Sequence, residues 1–118
     1  VTANWPTKNT MDLANRFTKL TGEPWMPQDS ISNYGHVMIF KEAMEQAGAC
    51  TKEKVSDMLH KIDLKDGAAK LFPGGRVRFD EKGRRIDADV VVVQWRDGVP
   101  LLVYPADVAA VPAKWAKP

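Results

Sequence analysis

Asp29, Ser30 and His36 bring together a carboxylate, a hydroxyl and an imidazole, the residue types of a hydrolytic triad. A triad requires the hydroxyl on a sharp turn, within reach of an imidazole that the carboxylate orients. No Gly-x-Ser-x-Gly turn surrounds Ser30, and residues crowded at one helix start have no reason to meet in that geometry. His36 and His60 lack metal-ligand spacing and read as surface or helix-face histidines. Gly74-Gly75-Arg76 is too short for a phosphate loop, and no helical pattern opens after it. Cys50, the only cysteine, excludes an internal disulfide and a multi-cysteine zinc site. It is expected as a small buried residue at a helix junction. These residues point to no enzyme, no metal and no cofactor.

The charge balance narrows the partners. Seventeen Lys and Arg face fifteen Asp and Glu and are scattered, so the sequence carries no electrostatic footprint for nucleic acid. The densest basic cluster, Arg76, Arg78, Lys82, Arg84 and Arg85, is interleaved with Asp80, Glu81, Asp87 and Asp89, which predicts a solvated turn. With 44% hydrophobic and 27% charged residues, 118 residues suffice for a globular core. No apolar run approaches the length of a membrane-spanning helix. The opening VTANWPTKN has neither an initiator Met nor a signal peptide's apolar core, which predicts a processed or cut end.

The elements that must position these residues are helical first and extended later. Asn9-Thr10-Met11-Asp12 resembles a helix start, and Leu13, Phe17 and Leu20 fall on one face before Gly22, Pro24 and Pro27 end it. A second helix is expected from about Ser30 to Ala47, with a wide and well-buried face of Ile31, Tyr34, Val37, Met38, Phe40, Met44 and Ala47. Gly48 stops it. Thr51-Lys52-Glu53-Lys54 opens a third, with Val55, Met58, Leu59 and Ile62 inward. Asp66-Gly67, Pro73-Gly74-Gly75 and Lys82-Gly83 then mark turns around a short strand at Val77 to Phe79.

The run DADVVVVQWRDGVPLLVYP reads as a β-hairpin reversing at Asp97-Gly98. Val90 to Val93 is apolar without a break, as in a strand covered on both faces. A lone hairpin this apolar needs a further strand or layer. No alternating series of strands and helices supplies one, so the sequence reads as a piece of a longer chain or one copy of an assembly. The tail from Ala106 to Pro118 is expected to cover an edge.

From Val1 to about Val111 the order of features resembles the last third of the type I periplasmic solute-binding proteins, the receptors of branched-chain amino acid ABC transporters. The stretches that carry the likeness are VTANWP, NTMDLANRFTKLTG, NYGHVMIFKEAMEQAG, TKEKVSDMLHKID, GGRVRFDEKGRR and VVVVQWRDGVPLLVYP. No one of them is specific; their order and spacing make the match. The resemblance implies an α/β fold, a partial two-lobed periplasmic binding protein of three helices, a short strand and a β-hairpin. Residues 7–84 would complete the first lobe and 85–118 return to the second, with the hairpin's covers encoded upstream of Val1. It further implies a periplasmic solute-binding component of an uptake system for amino acids or similar small carboxylates, delivering its ligand to an ABC transporter permease.

On that resemblance the segment entering the long helix faces the cleft, which puts Asp29, Ser30 and, one turn on, Tyr34 among the ligand contacts. The competing reading makes Asp29 or Ser30 the helix N-cap, worth about 1 kcal/mol. Trp5, beside a lobe crossing, would stack on a ligand or pack a hinge, and Trp25 admits the same two readings. Tyr34 and Trp95 also sit in periodic apolar patterns that suit core positions. A different class of function stays open beside the receptor: a small interaction or regulatory module that associates, with itself or a partner, through its apolar hairpin.

Overall fold

The computed structural model describes residues 8–115. It contains α1 (Lys8–Thr21), α2 (Gln28–Ala47), α3 (Lys52–Lys61), β1 (Asp63–Leu64), a 3-10 turn (Gly67–Leu71), β2 (Val77–Phe79), β3 (Arg85–Ile86), β4 (Val92–Arg96) and β5 (Val99–Tyr104). Three helices thus precede small antiparallel sheets, an α/β mixture consistent with part of a binding-protein fold. No helix among the described residues is long and apolar enough to cross a membrane. The chain divides into two compact units: the residues up to Ile31 together with those from Val90 on, and Ser32–Asp89.

In the first unit α1 turns Thr10, Leu13 and Ala14 inward, with Phe17 and Thr18 half-buried, the spacing of one helical face. Gly22 ends the helix at φ +75°, its N–H bonded to the Thr18 carbonyl at 2.9 Å; glycine takes this left-handed conformation without steric cost. Leu20, expected inward, is 84% exposed. Helical geometry puts it within about 20° of Leu13, so it lies on the intended face but in the last turn, beyond the core.

The hairpin forms where the sequence places it. Asp97 and Gly98 both have positive φ, 52° and 78°, the geometry of the tight turn that matches strand twist. The register Val93↔Leu102, Gln94↔Leu101, Trp95↔Pro100, Arg96↔Val99 puts Val93, Trp95, Pro100 and Leu102 on one face. The unbroken valine run is not a doubly covered strand: β4 begins only at Val92, and Val90 and Val92 are 81% and 50% exposed. An irregularity between Val92 and Val93 shifts the alternation there.

Trp25 and the tail supply part of the hairpin's cover. The rings of Trp25 and Trp95 meet edge to face, their centroids 5.3 Å apart. On the opposite face the Gln94 carboxamide behaves like a strand neighbour, donating from Nε2 to the Lys114 carbonyl at 2.6 Å and accepting the Lys114 N–H at 3.0 Å. Arg96 donates to the same Gln94 oxygen and to the Pro112 carbonyl. Ala110 and Val111 donate their N–H groups to the Leu102 carbonyl, at 2.9 and 3.3 Å.

The second unit holds α2 from Ser32 on, α3, and a three-stranded antiparallel sheet in the order β1-β2-β3, with α3 packed on β2. Val55 and Ile62 close on Ala43, with Met44, Met58, Leu59, Leu64 and Phe79 around them. Strands β1 and β3 have two residues each, too short for alternation to reveal, and were not expected beside Val77 to Phe79. The buried stripe of α2 also differs from expectation. It runs Ile31, Gly35, Ile39, Ala43, while Tyr34, Val37 and Phe40 are 38%, 67% and 48% exposed. Two small residues in that stripe let a neighbour come close: a Cβ on Gly35 would lie 2.5 and 2.7 Å from carbons of the Phe72 ring.

Phe72 is held on several sides. His36 stacks on its ring at 5.8 Å between centroids, and the Arg85 guanidinium lies 5.3 Å from the ring centre. Arg85 also donates to the carbonyls of Pro73 and Arg76 at 2.7 and 2.8 Å, pinning the glycine turn between them. Its Nε is buried without a partner, and burial pulls its pKa below the ordinary value against the influence of Asp89. Cys50, expected buried, is exposed between α2 and α3.

Candidate functional site

Three of the candidate ligand residues, Asp29, Ser30 and Tyr34, share one element. Helix α2 begins at Gln28, where the Ile31 N–H reaches the Pro27 carbonyl at 3.3 Å, so Asp29 and Ser30 occupy its first turn. Neither is the N-cap residue, which corrects the capping reading. The helix starts earlier than the apolar periodicity indicates, since the Pro27 carbonyl already accepts the first helical N–H, that of Ile31. Asp29 retains a milder local role, a negative charge at the positive end of the helix dipole, worth a few tenths to about 1 kcal/mol when exposed.

Helical rotation decides which of the three can act together. Ser30 and Tyr34 are one turn apart and within about 40° of each other, whereas Asp29 and Tyr34 diverge by about 140°. Along the helix surface Ser30 and Tyr34 are thus near neighbours, and Asp29 projects at a different angle. Asp29 is exposed, Ser30 half-buried and Tyr34 exposed, so the core reading of Tyr34 does not hold. Trp5 lies outside the described residues. Trp95, also read as core, is 60% exposed, and its partner is Trp25. Trp95 faces Pro100 in the register, near the reversal of the hairpin.

The hydrolytic arrangement gains no geometry. His36 sits about 120° around α2 from Ser30, and its ring stacks on Phe72. His60 has its Nδ1 2.9 Å from the Ser56 carbonyl of its own helix. Among the described residues no group of three His, Cys, Asp or Glu side chains could hold a metal ion. In the second unit a hollow of 140 Å³ is lined by Ser56, Leu59, His60, Phe79 and Gly83, and another of 290 Å³ by Phe40, Met44, Cys50, Lys52, Val55, Ser56 and Leu59. Neither includes a candidate ligand residue.

Part of the basic cluster is paired with neighbouring carboxylates. Arg76 grips Asp63 with two bonds of 2.7 Å, and Arg78 donates to Asp87 at 2.5 Å, with Arg76 also 3.6 Å from Asp87. At the turn, Asp80 Oδ1 accepts the N–H groups of Lys82 and Arg84. The Arg84 side chain lies 3.5 Å from the other Asp80 oxygen, so three of the five basic residues have a carboxylate partner.

The hydrogen bond from Arg76 holds the Asp63 carboxyl below its ordinary value of 3.8, and that from Arg78 does the same for Asp87. Both pKa values are lower in the folded chain than in the unfolded one. Their contribution is therefore fully present above the ordinary carboxylate range and is lost as pH falls through the lowered values. Because both groups are exposed, the effect is small and salt-sensitive. NMR titration of the carboxyl carbons is expected to show midpoints for Asp63 and Asp87 below 3.8, moving upward in Arg76→Gln and Arg78→Gln respectively. Midpoints that stay put in these variants would contradict the pairing.

No protein-family profile matches the sequence. It is 27% identical over 100 residues to Leu/Ile/Val-binding protein homolog 7 of Brucella suis biovar 1 (strain 1330), a match covering 85% of this chain and 24% of that protein. The chain spans about a quarter of the length of the curated relative it matches. The relationship is distant, and what the chain is similar to is a binding protein.

Proposed function

We propose that the chain is the carboxy-terminal part of an extracytoplasmic solute-binding component of an ABC uptake transporter, taking amino acids or similar small carboxylates. The observation that carries this reading is the similarity to a Leu/Ile/Val-binding protein homolog along 85% of the chain. The likeness in order of elements, three helices and then small antiparallel sheets, supports it. In this reading the protein works in the periplasm, does no chemistry, and hands its ligand to a permease. Residues 7–84 belong to the first lobe and 85–118 to the second. The compact units instead group α1 with the hairpin, so the intact protein, in which upstream elements compete for both, is the place to test the lobe assignment.

Asp29, Ser30, Tyr34 and Trp5 are the proposed ligand contacts. Calorimetric titration of the longer gene product with leucine, isoleucine, valine and a panel of small carboxylates is expected to give saturable binding to at least one. Asp29→Asn keeps size and helical backbone but removes the charge, and is expected to weaken binding of an ammonium-bearing ligand about tenfold, or 1.4 kcal/mol, with melting of the unliganded protein nearly unchanged. Unaltered affinity would eliminate Asp29 as a contact. No heat with any compound would eliminate the receptor reading itself.

A second reading, an interaction module working through its hairpin, is favoured by the exposure of Val90, Val92, Trp95 and Tyr104. An apolar sheet surface of this kind promotes association. Sedimentation of the 118-residue chain is expected to show concentration-dependent self-association that Trp95→Ser and Tyr104→Ser reduce. A compact monomer at every concentration would oppose both the module and self-association through the hairpin.

A further inference from the structure

We draw no further inference here: the strongest candidate, the exposed apolar strip of Tyr34, Val37 and Phe40 on α2 with the adjoining hollow around Cys50, Val55 and Leu59, carries nothing because nothing in the structure shows what covers it.

Discussion

Gly35→Val is expected to unfold the unit built from Ser32–Asp89, and Gly35→Ala to destabilise it by up to about 2 kcal/mol. Two effects oppose each other. Alanine inside a helix gains about 1 kcal/mol over glycine from backbone entropy. Against this, the new Cβ would stand 2.5 and 2.7 Å from ring carbons of Phe72, well inside contact distance. An exposed ring would swing away at little cost, but Phe72 is only 7% exposed, with His36 stacked on it and Arg85 against it. Overpacking in such places costs about 1–3 kcal/mol, so it outweighs the helical gain. Valine adds two methyl groups and a restricted χ1, and the balance moves further against folding. The pair Gly35→Ala and Phe72→Leu tests the cause, because the smaller side chain vacates the space that alanine needs. Urea denaturation is expected to show the double variant less destabilised than the sum of the singles. If Gly35→Ala proves more stable than the parent by the helix gain alone, the close approach is absent.

This contact also marks the limit of what the sequence discloses. Local punctuation was legible: Gly22 and Gly48 stop helices with positive φ, and Asp97-Gly98 reverses the hairpin, because these depend on the residue's own backbone freedom. The buried stripe of α2 was legible only at Ile31. Counting large apolar residues selects Ile31 correctly but adds Tyr34, Val37 and Phe40 and passes over Ile39, whereas close packing also selects Gly35 and Ala43, small residues that carry no hydrophobic signal. Strands β1 and β3 escaped for a related reason, since two residues cannot alternate detectably and their pairing depends on Val77 to Phe79 lying between them. At the candidate site, the sequence placed Asp29, Ser30 and Tyr34 at the start of one helix but set that start two residues late. That small error decided the argument about capping, because Asp29 moves from the cap into the first turn. The tail was expected at an edge; its attachment through Gln94 and Arg96 to Lys114 and Pro112 is a long-range match that no local pattern announces.

Leu102→Ala is expected to cost about 2–5 kcal/mol, a large part of the roughly 5–15 kcal/mol that holds a domain folded. Leu102 has no exposed surface and lies opposite Val93 in the hairpin, on the face where Trp95 meets Trp25. Truncation removes its buried methyl groups and leaves a void that Pro100, fixed by its ring, is poorly able to close. Leu101, half-buried on the opposite face, provides the contrast, and Leu101→Ala is expected to cost clearly less. Gln94→Ala separates hairpin stability from attachment of the tail. It removes both bonds to Lys114 and the acceptor used by Arg96, each worth about 1 kcal/mol net, while the Leu102 carbonyl still accepts from Ala110 and Val111. Amide hydrogen exchange distinguishes the two changes. Gln94→Ala is expected to lose protection at Lys114 while the amides of β4 and β5 keep theirs, whereas Leu102→Ala is expected to lower protection through both strands and the tail together. Strands that remain protected in Leu102→Ala would show that cross-strand bonding, and not this side chain, holds the hairpin.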